Sequence, residues 1–313
     1  MPQFPASEPA VSLVICTRNR ARQLQTCLAA VARIRCRQPW ETVIVDNGSN
    51  DDTRAIAQVF LRDEAVDGCY VWEPRPGLSR ARNAGLDASR ATIIAFTDDD
   101  CYPAADFLER VCEVFADPRI GFMGGRILLH DPADYPLTIN ESLETLHFAA
   151  GGIVPCAAVQ GANMAFRRAA LIGVGGFDPM LGAGTPFPAE DWDAVARVCM
   201  SGWDGGYFPE PTVSHHHGRT ADDASRQLAT YHYASGAVYA KLVMDPATRR
   251  TYRRYWARRI LGDSKYHRRK LVQQFRGAVD YWRSVRREAR RPAENSAAPG
   301  PIAPVVANPR RER

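Results

Sequence analysis

The segment Ile93-Ile-Ala-Phe-Thr97 runs straight into three consecutive carboxylates, Asp98, Asp99 and Asp100. A short run this apolar and β-rich suits a strand buried on both faces, the condition of strands in a parallel sheet. Three like charges at its tip repel one another unless a cation lies between them. Hard oxygen donors of this kind select Mg²⁺ or Mn²⁺. Ligands of open α/β sheets sit beyond the carboxyl ends of the strands, so the position suits a metal-assisted site for a phosphorylated substrate. The plain alternative is a solvated acidic turn that caps a helix starting near Ala104, because Asp is a favoured N-cap.

The first half of the chain repeats the same pattern. Val11 to Cys16 reads as a buried strand, and Thr17-Arg-Asn-Arg20 as a polar turn into a helix from about Ala21 to Arg35. Leu24, Cys27, Leu28 and Val31 recur there at helical spacing. A second strand covers Thr42 to Asp46, and residues 49–52 supply cap chemistry for a helix to about Phe60. Tyr70 to Trp72 is a short third strand, followed by a helix from Ser79 to about Ser89. Strands alternating with helices of this length imply βαβ units and a parallel sheet. The second half is less regular. It reads as a strand over 121–129, another over 159–166 with a glycine bend, and a turn at 175–178. A helix then opens at Ala189 and runs to about Met200. Two short segments, 205–209 and 211–215, lead to His215-His216-His217.

Bulk composition narrows the class. A chain of 313 residues can bury a sizeable core. No apolar run approaches the ~18 residues a membrane span needs, and Met1 to Pro5 does not begin a secretory signal. The eight cysteines are scattered with no CxxC pair, which fits a reduced, cytoplasmic setting and argues against structural zinc. From Gln227 onward the pattern is helical and basic. Residues 249–291 hold sixteen Arg and Lys against Asp263, Asp280 and Glu288, whereas the whole chain is only +5. Tyr252, Tyr255, Trp256, Tyr266, Phe275, Tyr281 and Trp282 interleave with these charges. A basic helix carrying aromatics suits an anionic membrane surface, so a peripheral position on the inner face of the membrane is expected. Nucleic acid fits the same charge but is not expected as the partner. The plain reading is a solvated face packed on the domain by its aromatics. The expected organisation is a tail over 1–9, a catalytic domain over 10–226, a basic helical extension over 227–291 and a disordered tail over 292–313.

Several motifs occur in order. They are Val14-Ile-Cys-Thr-Arg-Asn19, Val45-Asp-Asn-Gly-Ser49, Gly77-Leu-Ser-Arg-Ala-Arg-Asn83-Ala-Gly85 and Thr97-Asp-Asp-Asp100. Gly161-Ala-Asn163, Gly176-Phe-Asp178, Glu190-Asp191 with Arg197, and Val213-Ser-His215 follow. Each is weak alone, but the ordered set, over about residues 10 to 218, resembles the family 2 glycosyltransferases. These are inverting nucleotide-sugar enzymes of GT-A fold, an α/β fold with a Rossmann-like, mostly parallel sheet flanked by helices.

The resemblance implies roles. Thr17, Arg18, Asn19 and Asp46 would meet the donor nucleotide, and Arg80 and Arg82 its diphosphate. Asp100 would hold Mn²⁺ or Mg²⁺, with Asp98 or Asp99 on the ribose or on the metal and its waters. His215 would join the metal, with His216 or His217 as substitutes. Gly161 and Asn163 would approach the donor sugar. Asp191 would be the general base, Glu190 its support, and Trp192 and Asn163 would face the acceptor. The donor would be a UDP- or dTDP-sugar, less often a GDP-sugar, and the acceptor a hydroxyl on a glycan, a lipid-linked sugar, a protein or a small molecule. The Gln-xx-Arg-Trp signature of polymerising members is absent after Asp191, which favours single transfer. Two rivals stand: a non-catalytic nucleotide- or glycan-binding module, and a sugar-1-phosphate nucleotidyltransferase. The latter would want a glycine-rich loop where this chain has Thr17-Arg18-Asn19-Arg20.

Overall fold

A computed structural model describes residues 8–63, 66–262 and 268–290. The tail over 292–313, nearly all of the tail over 1–9, and Tyr266 lie outside the described residues. Four strands, β1 (Val11–Thr17), β2 (Trp40–Asp46), β3 (Asp67–Trp72) and β4 (Ile93–Asp98), lie parallel in the order β3-β2-β1-β4. The crossovers are α1 (Ala21–Val31), α2 (Thr53–Asp63) and α3 (Leu78–Ala88). Strand order reverses at β1, so β1 and β4 form the switch point beyond which a ligand crevice opens. Register places Thr17 beside Asp46, and Cys16 beside Asp98, at that carboxyl edge.

Alternation explains why these strands are mostly apolar, apart from buried Ser12, Glu41 and Thr42, of which Ser12 donates to Glu41. Leu13, Ile15, Ile44 and Ala95 pack on one face with Leu24, Leu28 and Phe107. Val14, Val43, Val45, Ile94 and Phe96 pack on the other with Ala81, Ala84 and Trp192. Both faces of the sheet are therefore covered.

Beyond β4 the sheet becomes mixed, through β5 (Cys101–Pro103), β6 (Ile120–Leu129), β7 (Leu146–Phe148), β8 (Asn163–Arg167) and β9 (Asp204–His215). β8 runs antiparallel to both β4 and β6, and β6 is parallel to β9. The helices of this half are α4 (Phe107–Val114), α5 (Arg168–Gly173) and α6 (Glu190–Met200). The helix expected near Ala104 begins only at Phe107, because Cys101–Pro103 is drawn into the sheet and pairs with β9. The segments 205–209 and 211–215 are one strand, with a register break between Phe208 and Thr212. The first helix stops at Val31 rather than Arg35.

Three helices close the described chain: α7 (Ala221–Met244), α8 (Arg249–Gly262) and α9 (Arg268–Glu288). α7 starts six residues before the expected Gln227. Thr220 and Asp223 form a reciprocal capping box there, satisfying two end donors of the helix. α7 and α9 pack almost backbone on backbone. A Cβ on Gly236 would lie 1.9 Å from the Gln274 carbonyl oxygen, and one on Gly277 1.9 Å from that of Tyr233. Only glycine permits that approach. Among the described residues no helix is long and apolar enough to cross a membrane. All eight cysteines are free thiols.

Candidate active site

The carboxylates at the tip of β4 are already partly neutralised. Arg20, at the start of α1, places Nε 2.9 Å from Asp99 Oδ1 and Nη2 2.6 Å from Asp100 Oδ2. Thr17 Oγ1 donates to Asp99 Oδ2 at 2.6 Å. Burial still pushes Asp99 up to about 7, against the pull of Arg20. Burial works on Asp100 in the same sense, but His215 and Arg20 hold it below the usual carboxylate range. The pairing of β5 with β9 sets Cys101 opposite His215, which brings His215 Nε2 to 3.3 Å from Asp100 Oδ1.

One ligand atom each from Asp100, Cys101 and His215 lies within 4.8 Å of the others. Burial keeps the Cys101 thiol protonated, so the usable donors are a carboxylate and an imidazole. The Asp98 side chain is 34% exposed and lines the same cavity. Two carboxylates and one imidazole fit Mn²⁺ or Mg²⁺. The histidine run is divided by its alternation. His215 and His217 turn to one side, their rings 5.0 Å apart. His216 turns to the other and meets the Tyr102 hydroxyl at 3.1 Å. His217 Nδ1 instead accepts the Arg219 backbone N–H at 3.0 Å.

On the facing wall, α6 begins with Glu190 and Asp191. Arg82, on α3, is 2% exposed; it pairs with Glu190 and reaches Asp98 Oδ1 at 3.4 Å. The arginine expected at a diphosphate is thus a buried strut between the two acidic ends of the site. The Gly161 carbonyl lies 3.4 Å from Arg82 Nη2, and a Cβ on Gly161 would fall 2.5 Å from that nitrogen. Glycine at 161 accommodates the guanidinium. Burial pushes Glu190 up to about 7 despite Arg82. Asp191 is half-buried. Its Oδ2 accepts the Gly161 N–H at 2.9 Å and its Oδ1 the Trp192 N–H at 2.7 Å. Burial raises its pKa above the ordinary value, against Arg82 and those two donors.

Other expected residues do structural work. Asn163 is 1% exposed, and its amide donates to the Arg126 and Pro211 carbonyls at 2.9 Å, stitching the register break of β9. Asp46 is fully buried and accepts from Ser49 N and the Tyr70 hydroxyl. Asn19 has a left-handed φ of 54° and is tied to Ser49 and Asn50. Arg80 is half-buried and does not line the cavity, whereas Arg18 is exposed at its rim. Trp192 is 2% exposed, and its indole N–H donates to the Val154 carbonyl. It is a packed wall with no open face for an acceptor. Asn83 clasps Phe177 through two 2.8 Å hydrogen bonds, and Arg197 binds the Val174 and Gly176 carbonyls. The Gly-Phe-Asp motif is therefore the turn that anchors α6. Arg20, Asn47 and Arg219 also line the cavity and were missed. Arg20 lay one residue past a matched motif, and Asn47 lay inside one.

All of this surrounds a cavity of about 470 Å³, lined by Thr17, Asp98, Asp100, His215, Glu190 and Asp191 among others. Residues 12–172, just over half of the chain, match the model of Glycosyl transferase family 2. The chain belongs to glycosyltransferase family 2. Residues 93–282 also match Glycosyl transferase family group 2. Among curated relatives, glycosyltransferase AglE of Haloferax volcanii is 34% identical over 120 residues, 38% of this chain and 40% of that protein. The O-antigen chain rhamnosyltransferase WbaN of Salmonella anatum is 26% identical over 214 residues, 65% of this chain and 64% of that protein. The alignments thus span less than two thirds of either relative. Mannosyltransferase PcManGT of Pyrobaculum calidifontis, solved with GDP-Man and Mn²⁺, superposes with a TM-score of 0.62 at 19% identity, over 92% of this chain and 77% of that one. The likeness is one of fold, and the fold is GT-A.

Proposed function

We propose that this family 2 chain transfers a sugar from a nucleoside-diphosphate donor to an acceptor hydroxyl by single displacement, with inversion at the anomeric carbon. The observation that carries the reading is that Asp98, Asp100 and His215 share one cavity with Asp191. Asp191 takes the proton of the acceptor hydroxyl as its oxygen bonds to the anomeric carbon and the bond to the diphosphate breaks. Its two oxygens are held by backbone N–H groups, which fixes the carboxylate for general-base work worth ~10²–10⁴-fold. Burial, which raises its pKa, makes it a stronger base than an exposed Asp. Asp98, Asp100 and His215 would hold Mn²⁺ or Mg²⁺. When bound, that ion supplies Lewis-acid stabilisation of the leaving diphosphate. Arg18 and Arg219, which line the cavity, would meet the phosphates in place of Arg80 and Arg82. UDP- or dTDP-sugars are the expected donors, with GDP-sugars less often, and a neighbour of the same fold is solved with GDP-Man.

The test is the thermal stability of the protein against nucleotides and nucleotide sugars, with and without Mn²⁺, for the natural chain and Asp191→Asn. A ligand at ~100 times its dissociation constant adds ~2.7 kcal/mol. A metal-dependent shift with one nucleotide class in both proteins, with sugar transfer lost only in Asp191→Asn, is expected. Unchanged transfer in Asp191→Asn removes Asp191 as the base. Binding without transfer in the natural chain favours a non-catalytic module.

A further inference from the structure

Helix α9 buries one side against α7 through Gln274, Gly277 and Tyr281. Its other side is apolar and exposed. Val272, Phe275, Val279 and Trp282 are 50%, 47%, 44% and 41% exposed. Their spacing of three, four and three residues aligns them in one stripe. Arg269, Arg276 and Arg283, all exposed, recur every seventh residue and form a row along one flank of that stripe. α8 meets this stripe where the Trp256 ring lies 5.6 Å from the Phe275 ring. Across the described parts of α8 and α9, from 249 to 290, fourteen Arg and Lys stand against Asp280 and Glu288.

We propose that this α8–α9 face docks in the plane of an anionic lipid bilayer. A helix with Trp, Phe and Val on one stripe and arginines beside it lies with its apolar side in the headgroup–acyl boundary. A second copy of the chain fits poorly: it would bring one arginine row against another, with no acidic row to receive it. Nucleic acid would satisfy the charge but leave Val272, Phe275, Val279 and Trp282 in water. A bilayer with anionic headgroups satisfies both. The face also adjoins the cavity. Gln227 and Tyr231 of α7, the helix on which α9 packs, line the cavity. Where the proposed transfer holds, this neighbourhood favours an acceptor presented from the membrane. The docking itself does not depend on that transfer.

The test is co-sedimentation of the full chain with vesicles of phosphatidylcholine alone or mixed with phosphatidylglycerol, across a salt series. The full chain should partition onto the anionic vesicles and be released by salt. Each arginine near such a surface is worth roughly fivefold in partitioning. The triple variant Arg269→Ala, Arg276→Ala, Arg283→Ala should therefore bind about a hundredfold more weakly, and Phe275→Ser with Trp282→Ser should also weaken binding. Both variants should keep the natural nucleotide response, so failure here is separable from failure of the donor site. Equal binding to neutral vesicles, no binding at all, tighter binding to duplex DNA, or a dimer that Phe275→Ser dissolves would each overturn the proposal.

Discussion

Replacing Glu190 by Gln should remove a loss of stability that the ligand-free protein suffers as pH rises from 5 to 8. Glu190 is 6% exposed, and burial pushes it from 4.5 up to about 7 even with Arg82 beside it. A carboxyl whose pKa is higher folded than unfolded binds its proton more tightly in the native state. Stability from that proton is fully present below the unfolded value and is lost as pH rises towards the folded one. At 1.36 kcal/mol per unit, ionising Glu190 costs the native state roughly 3 kcal/mol by pH 8. Gln keeps a hydrogen-bonding oxygen for Arg82 and does not ionise. Asp99 titrates near the same pH but is present in both proteins and largely cancels. Relative to the natural chain, Glu190→Gln should therefore gain roughly 2–3 kcal/mol from pH 5 to pH 8, or about 3–5 °C in melting temperature for a chain of 313 residues. Paired urea or thermal melts in chelator-containing buffer measure it. Stability curves that stay parallel from pH 5 to 8 would refute the claim that Glu190 is held above its ordinary pKa by burial. Stability gained this way should coincide with lost activity, as strained functional sites commonly show.

Asp193 is fully buried and binds Arg197 and Lys241, and Lys241 also reaches Asp178 at 2.8 Å. Asp193→Ala leaves two cations short of a partner and should cost about 3–5 kcal/mol, read as a lower urea midpoint; a midpoint within error of the natural chain would show that the network is dispensable. Gly277→Ala places a methyl where the α7 backbone runs. It should cost about 1–3 kcal/mol and speed proteolysis within α9, and an unchanged cleavage rate would contradict the close packing described.

Some of this is legible without coordinates, for a physical reason. Strands buried on both faces must be largely apolar on both, so Val11–Thr17 and Ile93–Asp98 announce themselves. Their polar ends mark the crevice because parallel strands share a carboxyl edge. The capping box at Thr220 is equally local, a Thr and an Asp three residues apart. The short strand β5 was not readable. Three residues carry too little periodicity, and Cys101–Pro103 is a strand only because β9 lies beside it.

Within the site, the sequence by itself determined which residue types meet: carboxylates after β4, a Glu-Asp pair opening α6, and a histidine run after β9. Tertiary structure alone decided what each one does. Arg82 and Asn163 carry the same side chains wherever they stand. Burial against Glu190 makes one a strut, and a break in β9 makes the other a stitch. Arg20 became the partner of Asp99 and Asp100 because residues 80 apart in sequence meet where the strand order reverses. Charge and hydrogen-bonding capacity are local properties of a residue, whereas burial and the identity of its partner are set by the fold.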